Sequence, residues 1–405
     1  MKIVDEVAPS SSSEETSLKH PFVFKIIGAV AVAHLLNDLV QAALPAIYPM
    51  LKEEYGLNFK EIGIITLTYQ LTASFLQPAV GIYTDKKPLP YLLPLGMICA
   101  LIGVFFFSFS TSFTGLLLSS SLIGIASSTF HPEASRVARM ASGGRFGFAQ
   151  STFQVGGNLG TAIGPLIAAA VIVPFGQKNF AWLMLFTLLG IFTLSKVSGW
   201  YKEHLYVLKI KPKRKSQVEY SRSKIMMAFA VLAILVFSKY VYMASITSYY
   251  TFYLIEKFHL SIPESQTYLF VFLVSIALGT FLGGPIGDKI GRKMVIWVSV
   301  LGAAPFTLLL PYADLTWTAL LSVFIGFVMS SAFAAIVVYA QELIPSKVGL
   351  VAGIFFGLMF GISGVGAALL GYLADSHGIN YVYHFCSYLP LLGILTVLLP
   401  NIEVE

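Results

Sequence analysis

From residue 22 to residue 400 the chain alternates long apolar runs with short polar breaks. A helix needs about 20 mostly apolar residues to cross a bilayer. Runs of that size occupy 22–50, 60–83, 90–109, 114–139, 146–173, 179–199, 223–255, 263–286, 292–312, 316–341, 347–374 and 381–400. The pattern predicts an all-α membrane protein with twelve transmembrane helices. Residues 1–21 break it: a Ser run from Ser10 to Ser13 is followed by Glu14 and Glu15. That stretch has no basic region leading into an apolar one, so it reads as a disordered tail rather than a signal peptide.

Composition agrees. Of 405 residues, 56% are hydrophobic and 11% charged, against roughly 25% charged in soluble domains. No soluble fold of this size hides so much apolar surface, which excludes a water-soluble enzyme. The net charge of +6 matters by its position, because basic loops orient membrane proteins. With a cytoplasmic N-terminus and alternating spans, Lys52, Lys60, Lys178 and Lys257 fall outside and Lys239 falls within a span. The remaining 21 of 26 Lys and Arg face the cytoplasm, which places both termini there. The charge is therefore topology, and no nucleic-acid partner is expected. Cys99 and Cys386 read as buried thiols rather than a metal or disulfide pair.

The basic stretch 200–222, with Lys211, Lys213, Arg214 and Lys215, divides the spans six and six. Features recur across it. Gly81-x3-Asp85-Lys86-Lys87 follows span 2, and Gly284-Pro-Ile-Gly287-Asp288-Lys289-Ile-Gly291-Arg292-Lys293 follows span 8. Span 5 carries Gly156, Gly160 and Gly164; span 11 carries Gly353, Gly357 and Gly361. Nearly constant offsets imply two pseudo-symmetric six-helix halves, 22–199 and 223–400. A linker at 200–222 and cytoplasmic tails at 1–21 and 401–405 complete the division.

The loop signature after span 8, its reduced copy after span 2 and Gly160-x3-Gly164-Pro165 resemble motifs of the major facilitator superfamily. Three further strings resemble the fosmidomycin resistance proteins: His34-x2-Asn37-Asp38, Phe130-His131-Pro132-Glu133-Ala134-Ser135-Arg136, and Ala149-Gln150-Ser151-x-Phe153-Gln154-Val155-Gly156-Gly157-Asn158. The resemblance implies proton-coupled export of a small anionic phosphonate, drug out for protons in, by alternating access in the cytoplasmic (inner) membrane. It also implies that Asp85 and Asp288 latch the cytoplasmic side, with Gly81, Gly284, Arg292 and Arg136 contributing to gating. The copy at Asp85 lacks the Gly-Arg-Lys tail, since Lys86-Lys87-Pro88 stands there instead. The expected partners are the small anion, protons and membrane lipids, with the protein acting as a monomer.

Three ionisable residues remain well inside spans: Asp38, Glu133 and Lys239. Each costs about 2.5–3.5 kcal/mol at a helix centre, which makes an intramembrane charge a functional hypothesis by default. His34, Asn37, Asp38 and Gln41 share one face of span 1. That stripe is expected to line a central cavity; for Asn37 and Gln41 an interhelical packing contact fits equally well. Asp38 and Glu133, with His131, are the proton-coupling candidates. Glu133 could instead form an ion pair with Arg136. Lys239 is the expected anion contact, with Tyr242 beside it and His34, Asn37, Gln154 and Asn158 as further substrate-binding candidates. Tyr249, Tyr250, Phe252 and Tyr253 read as an outer aromatic belt. Pro132 is expected to bend span 4.

Other classes lack their signatures. No Gly-x4-Gly-Lys-Ser/Thr loop is present for ATP. No His or Cys array suits a redox cofactor, and His131-Pro-Glu133 offers no second metal ligand at i+4. No catalytic site, cofactor or metal is therefore expected. Proton-coupled uptake or exchange of a small organic anion is the nearest rival, and a non-transporting sensor stands further off.

Overall fold

A computed structural model describes residues 22–57, 59–210, 221–260 and 262–402. Among them every regular element is helical. The tail at 1–21, the basic run Lys211–Lys215 and the last three residues lie outside the described residues.

The first part of the chain forms α1 (Phe24–Ala46), α2 (Tyr48–Tyr55), α3 (Phe59–Lys86), α4 (Leu92–Ser108), α5 (Phe113–Ala141), α6 (Phe146–Ile167) and α7 (Leu183–Ile210). The second part forms α8 (Arg222–Phe258), α9 (Ile262–Ile290), α10 (Arg292–Val300), α11 (Ala304–Leu309), α12 (Leu315–Ser330), α13 (Ala332–Leu343), α14 (Val348–His377) and α15 (Ile379–Ser387). Starts are marked by polar caps. Ser112 accepts from the Gly115 amide at 3.2 Å, and Asp314 accepts from the Trp317 amide at 2.9 Å. Such caps satisfy donors that a helix start leaves orphaned. Gly291 (φ 92°) and Gly378 (φ 85°) turn the chain between consecutive helices with a backbone that residues bearing a Cβ resist.

Nine helical segments among the described residues are long and apolar enough to cross a membrane, so the chain is a multi-pass membrane protein. Several expected spans are less regular than single helices. The run 146–173 ends in a π-turn at Ala168–Ile172, and 292–312 is divided among α10, α11 and two 3₁₀ turns. The run 316–341 breaks at Ser331, and 381–400 becomes α15 followed by a 3₁₀ segment at Leu389–Leu398. Pro305, Pro311 and Pro390 stand at the starts of such segments, where the missing amide hydrogen ends one ladder and tolerates the next. The expected linker at 200 begins later, because α7 stays helical to Ile210.

Helix packing follows the glycines. A Cβ on Gly156, Gly160 or Gly164 of α6 would run into the α1 backbone at Ala31, Leu35 and Leu39 respectively. The matching stripe on α14 faces another partner: Gly353 meets the α3 backbone at Gln77, and Gly357 meets it at Ser74. Small residues let helices approach where lipid supplies no hydrophobic drive. Tyr250 and Tyr253 correct the expected outer belt. Both are buried, and Tyr253 stacks on Tyr383 with ring centres 4.0 Å apart. Phe252 is exposed, and the Tyr249 hydroxyl donates to the Ala367 carbonyl at 2.6 Å.

Candidate functional site

The polar stripe of α1 is buried on every member: His34, Asn37, Asp38 and Gln41 are all under 9% exposed. It faces α5 and α6 rather than open space. Asp38 is the centre. Asn37 donates from Nδ2 to its Oδ1 at 2.9 Å, His34 Nε2 lies 3.2 Å from its Oδ2, and His131 Nε2 lies 3.8 Å from its Oδ1. Gln41 accepts from the Tyr69 hydroxyl of α3 at 2.5 Å.

The second nitrogen of each ring fixes its chemistry. His34 Nδ1 is 2.7 Å from the Phe153 carbonyl and His131 Nδ1 is 2.9 Å from the Ser127 carbonyl. A carbonyl oxygen only accepts, so each Nδ1 carries a hydrogen, and when the ring is neutral its Nε2 turns a lone pair toward Asp38. Neither Nε2 makes a hydrogen bond, although both rings are fully buried. Two lone pairs and a carboxylate thus converge, an arrangement that calls for a proton or another cation between them. Gly157 leaves room for this: a Cβ there would strike the His34 ring and come within 2.7 Å of Asp38 Oδ2. Gly157→Ala is expected to cost about 1–3 kcal/mol by overpacking, read as a lowered thermal unfolding midpoint in detergent.

Aromatic rings enclose the cluster. His34 stacks on Phe153 at 4.1 Å, and His131 packs against Phe356 at 4.9 Å and Phe360 at 5.4 Å. Phe356 in turn meets Phe333 at 5.1 Å, and the Lys239 ammonium lies 5.7 Å from the Phe333 ring and 5.1 Å from Tyr240. Asp38 and Lys239 therefore make no ion pair and stand on either side of an aromatic wall. Lys239 is 2% exposed, and among the described residues no acid pairs with it. Tyr242 does not join it, being packed instead with Tyr253, Tyr383 and Cys386.

Glu133 lies in a different network. Its Oε1 accepts from Arg136 Nε at 3.1 Å and its Oε2 from the Tyr201 hydroxyl at 3.1 Å. Arg136 also donates to Asp85 at 2.7 Å and to Thr84 at 3.0 Å. Asp85 receives the amides of Gly349 (3.0 Å) and Leu350 (2.8 Å), the first turn of α14. The same device recurs with the chain parts exchanged. Asp288 receives the amides of Gly147 and Phe148, both at 2.9 Å, in the first turn of α6. Arg292 donates to Asp288 at 2.7 Å and pairs with Glu342 at 3.3 Å. Each site is thus one arginine, two acids and one helix N-terminus, whose partial positive charge favours the carboxylate.

These ties close one end of the bundle. Gly81 and Gly284 are required there, because a Cβ on either would enter the backbone opposite, at Gly349 and Gly147. Further along α14, Gly357 still meets α3 at Ser74, nothing stands within 4 Å of a Cβ on Gly361, and a Cβ on Gly364 would meet the Gln70 side chain of α3. Asn158 bridges to Thr280 of α9 at 3.1 Å, while the Gln154 Oε1 is buried without a hydrogen-bond partner. At Pro132 helix α5 runs on uninterrupted to Ala141.

Several participants were not singled out from sequence. Tyr69, Tyr201, Phe333, Phe356 and Phe360 look like ordinary apolar-span residues until the helices pack. Gln341 and Glu342 carried a usable signal, a polar pair near the end of an apolar span. Gln341 donates to Ser135 at 3.1 Å, and Ser135 to Gln150 at 2.9 Å, tying α13, α5 and α6 together.

The family model of the Major Facilitator Superfamily matches residues 30–252 and 229–405. The fosmidomycin resistance protein of Escherichia coli (strain K12) is 53% identical over 401 residues, covering 99% of each chain. An uncharacterized MFS-type transporter, YfnC, of Bacillus subtilis (strain 168) is 41% identical over 94% of this chain and 93% of its own. Among solved structures, the transporter FucP in the outward conformation superposes with a TM-score of 0.73 at 13% identity, over 93% of this chain and 99% of that one. The human organic anion transporter MFSD10 (TETRAN) gives 0.72 at 15% identity, again over 93% and 99%. Those two likenesses concern the fold alone.

Proposed function

The chain belongs to the major facilitator superfamily, and within it to the family of the fosmidomycin resistance protein; from that premise we propose that it is a proton-coupled exporter of a small phosphonate-type anion. Transport runs by alternating access between two six-helix halves of a twelve-span bundle, as a monomer in the cytoplasmic membrane with both termini inside. The observation that carries this reading is the buried acceptor cluster of His34, Asp38 and His131. Such a cluster binds a proton readily and releases it when its surroundings change. Lys239 supplies the cation for the substrate, across the Phe333–Phe356 wall.

Proton and substrate then act on one barrier from its two sides. A proton on Asp38 or His131 alters what the Phe356 face of the wall meets, and an anion at Lys239 alters the Phe333 face. Coupling of this kind needs only that each ligand favour a different arrangement of the same packed rings. Glu133 belongs with the gate in this scheme rather than with the proton site. In this scheme the ties at Asp85 and Asp288 hold the cytoplasmic end shut.

Reconstituted protein in proteoliposomes, with a pH gradient imposed and phosphonates, carboxylates and neutral lipophiles offered in parallel, tests the reading. Phosphonates are expected to move against the proton gradient. Movement of neutral lipophiles with no movement of phosphonates would overturn it. The gate carries its own prediction. Asp288→Asn loses charge-assisted bonds worth about 1.5–3 kcal/mol each and leaves Glu342 as the acid paired with Arg292. Labelling of cysteines placed at the cytoplasmic ends of α6 and α9 should rise several-fold, and an unchanged labelling rate would remove Asp288 from the gate.

A further inference from the structure

Three side chains in the bilayer-buried core offer ligand atoms to one point: His34 and Asp38 from α1 and His131 from α5, all mutually within 4.8 Å. We propose that this cluster is a divalent transition-metal site of the Zn²⁺ or Co²⁺ kind. The inference uses the same three residues as the proton site proposed above but rests on their geometry, so that it can be tested without transport.

A single proton can bridge two of these atoms but not three, whereas a metal ion joins all of them. Tetrahedral zinc holds nitrogen and oxygen donors at ~2.0–2.1 Å, which sets them roughly 3.3 Å apart. His34 Nε2 stands 3.2 Å from Asp38 Oδ2 and His131 Nε2 3.8 Å from Asp38 Oδ1, and with one atom from each residue the three lie within 4.8 Å of one another, so small side-chain shifts would draw them onto one ion. Both imidazoles present the deprotonated Nε2 that metals bind. Their Nδ1 hydrogens are fixed on the carbonyls of Phe153 and Ser127, the outer-shell arrangement that orients metal-bound histidine. Asn37 holds the carboxylate from behind at 2.9 Å.

The donor set chooses the ion. Two imidazoles and one carboxylate suit Zn²⁺, Co²⁺ or Ni²⁺ and discriminate against Mg²⁺ and Ca²⁺, which want oxygen shells. Three protein ligands leave a fourth position for water or an anionic oxygen, and Gly157 keeps a side chain from crowding the ligand atoms. The Asp38 side chain keeps 11% exposure while both rings are enclosed, which gives an ion one way in. Protons compete for the same lone pairs. The titratable groups facing the cluster are its own three members and Tyr69 from α3 by way of Gln41. From α6 and α14 it is faced by Phe153, Gly157, Phe356 and Phe360.

Metal-stripped full-length protein in lipid nanodiscs, titrated with Co²⁺ and then Zn²⁺, tests the site with no gradient or substrate involved. One Co²⁺ per chain is expected, with the intense visible bands of a four-coordinate ion, displaced by one Zn²⁺. Binding should weaken as pH falls, because protons compete with the metal for its ligand atoms. His131→Ala and Asp38→Asn should each lower affinity by more than the roughly 10- to 100-fold of an outer-shell loss. His377→Ala, which removes an exposed ring, should leave it unchanged, and a thermal midpoint no lower than the native one is required of each variant. His34→Gln, which keeps a polar side chain on α1, is the replacement if His131→Ala does not fold. Absence of stoichiometric binding, or binding that persists in the cluster variants, overturns the site and leaves the transport assay to be judged by itself.

Discussion

Asp38→Asn should reduce pH-gradient-driven transport to the level of protein-free vesicles while leaving the protein folded and at least as stable as before. The amide has nearly the volume of the carboxyl group but binds no proton at any working pH, so the driving reaction is removed and the shape kept. Stability should rise for a local reason. In the native cluster a carboxylate faces two nitrogen lone pairs, and neither Nε2 has a hydrogen-bond donor. The new amide can donate to one of them, and such a bond is worth about 0.5–1.5 kcal/mol. Substrate counterflow, which needs no net proton movement, should persist in the same vesicles. Paired measurements of gradient-driven uptake and thermal midpoint decide it. Retention of the wild-type driven rate would remove Asp38 from the coupling reaction.

Lys239→Met makes the complementary test and should lower affinity for the anionic substrate by about 12- to 150-fold, the equivalent of the 1.5–3 kcal/mol of one charge-assisted hydrogen bond. Methionine keeps most of the side-chain volume beside Tyr240 and Phe333 and removes the ammonium with its charge and donors. An ammonium 2% exposed with no acid beside it is costly, because a buried ion without a partner forfeits its hydration for little return. The variant should therefore melt at a higher temperature than the native chain while binding less. Equilibrium binding of a radiolabelled phosphonate, set beside a thermal scan, separates these two effects. Affinity unchanged within twofold would place the anion elsewhere in the cavity.

Both variants touch residues legible in the sequence, since an ionisable side chain in an apolar run stands out whatever the fold. The spans were legible for the same reason, and the irregular ones failed where Pro305, Pro311 and Pro390 divide a continuous apolar run into helix and 3₁₀ segments. What could not be read was grouping. Asp38 and Glu133 looked alike as acids within spans. Yet the first meets two histidines and the second meets Arg136, because the two positions lie at different depths and on different helices. The copy of the loop motif at Asp85 looked deficient without its arginine. In the fold Arg136 arrives from α5 to fill the same place, 2.7 Å from the carboxylate. Histidine spacing gave half of the central cluster, His34 four residues before Asp38, and His131 joined only through packing. The aromatic wall left no sequence signal, since one more Phe in an apolar helix carries no information until its neighbours are known.

The two glycine stripes share one spacing but meet unlike partners: the stripe of α6 lies on α1 and that of α14 lies on α3, which in the proposed two-half scheme are a contact within a half and a contact between halves. If the halves rock as bodies, the first contact is kept throughout the cycle and the second is broken and remade on every turnover. Mutational tolerance should diverge accordingly. A larger residue at Gly160 would misfold the protein outright, whereas one at Gly353 would leave a well-folded chain biased in its conformational equilibrium. Deuterium uptake by backbone amides should separate them likewise, slow along α6 and accelerated by substrate along α14.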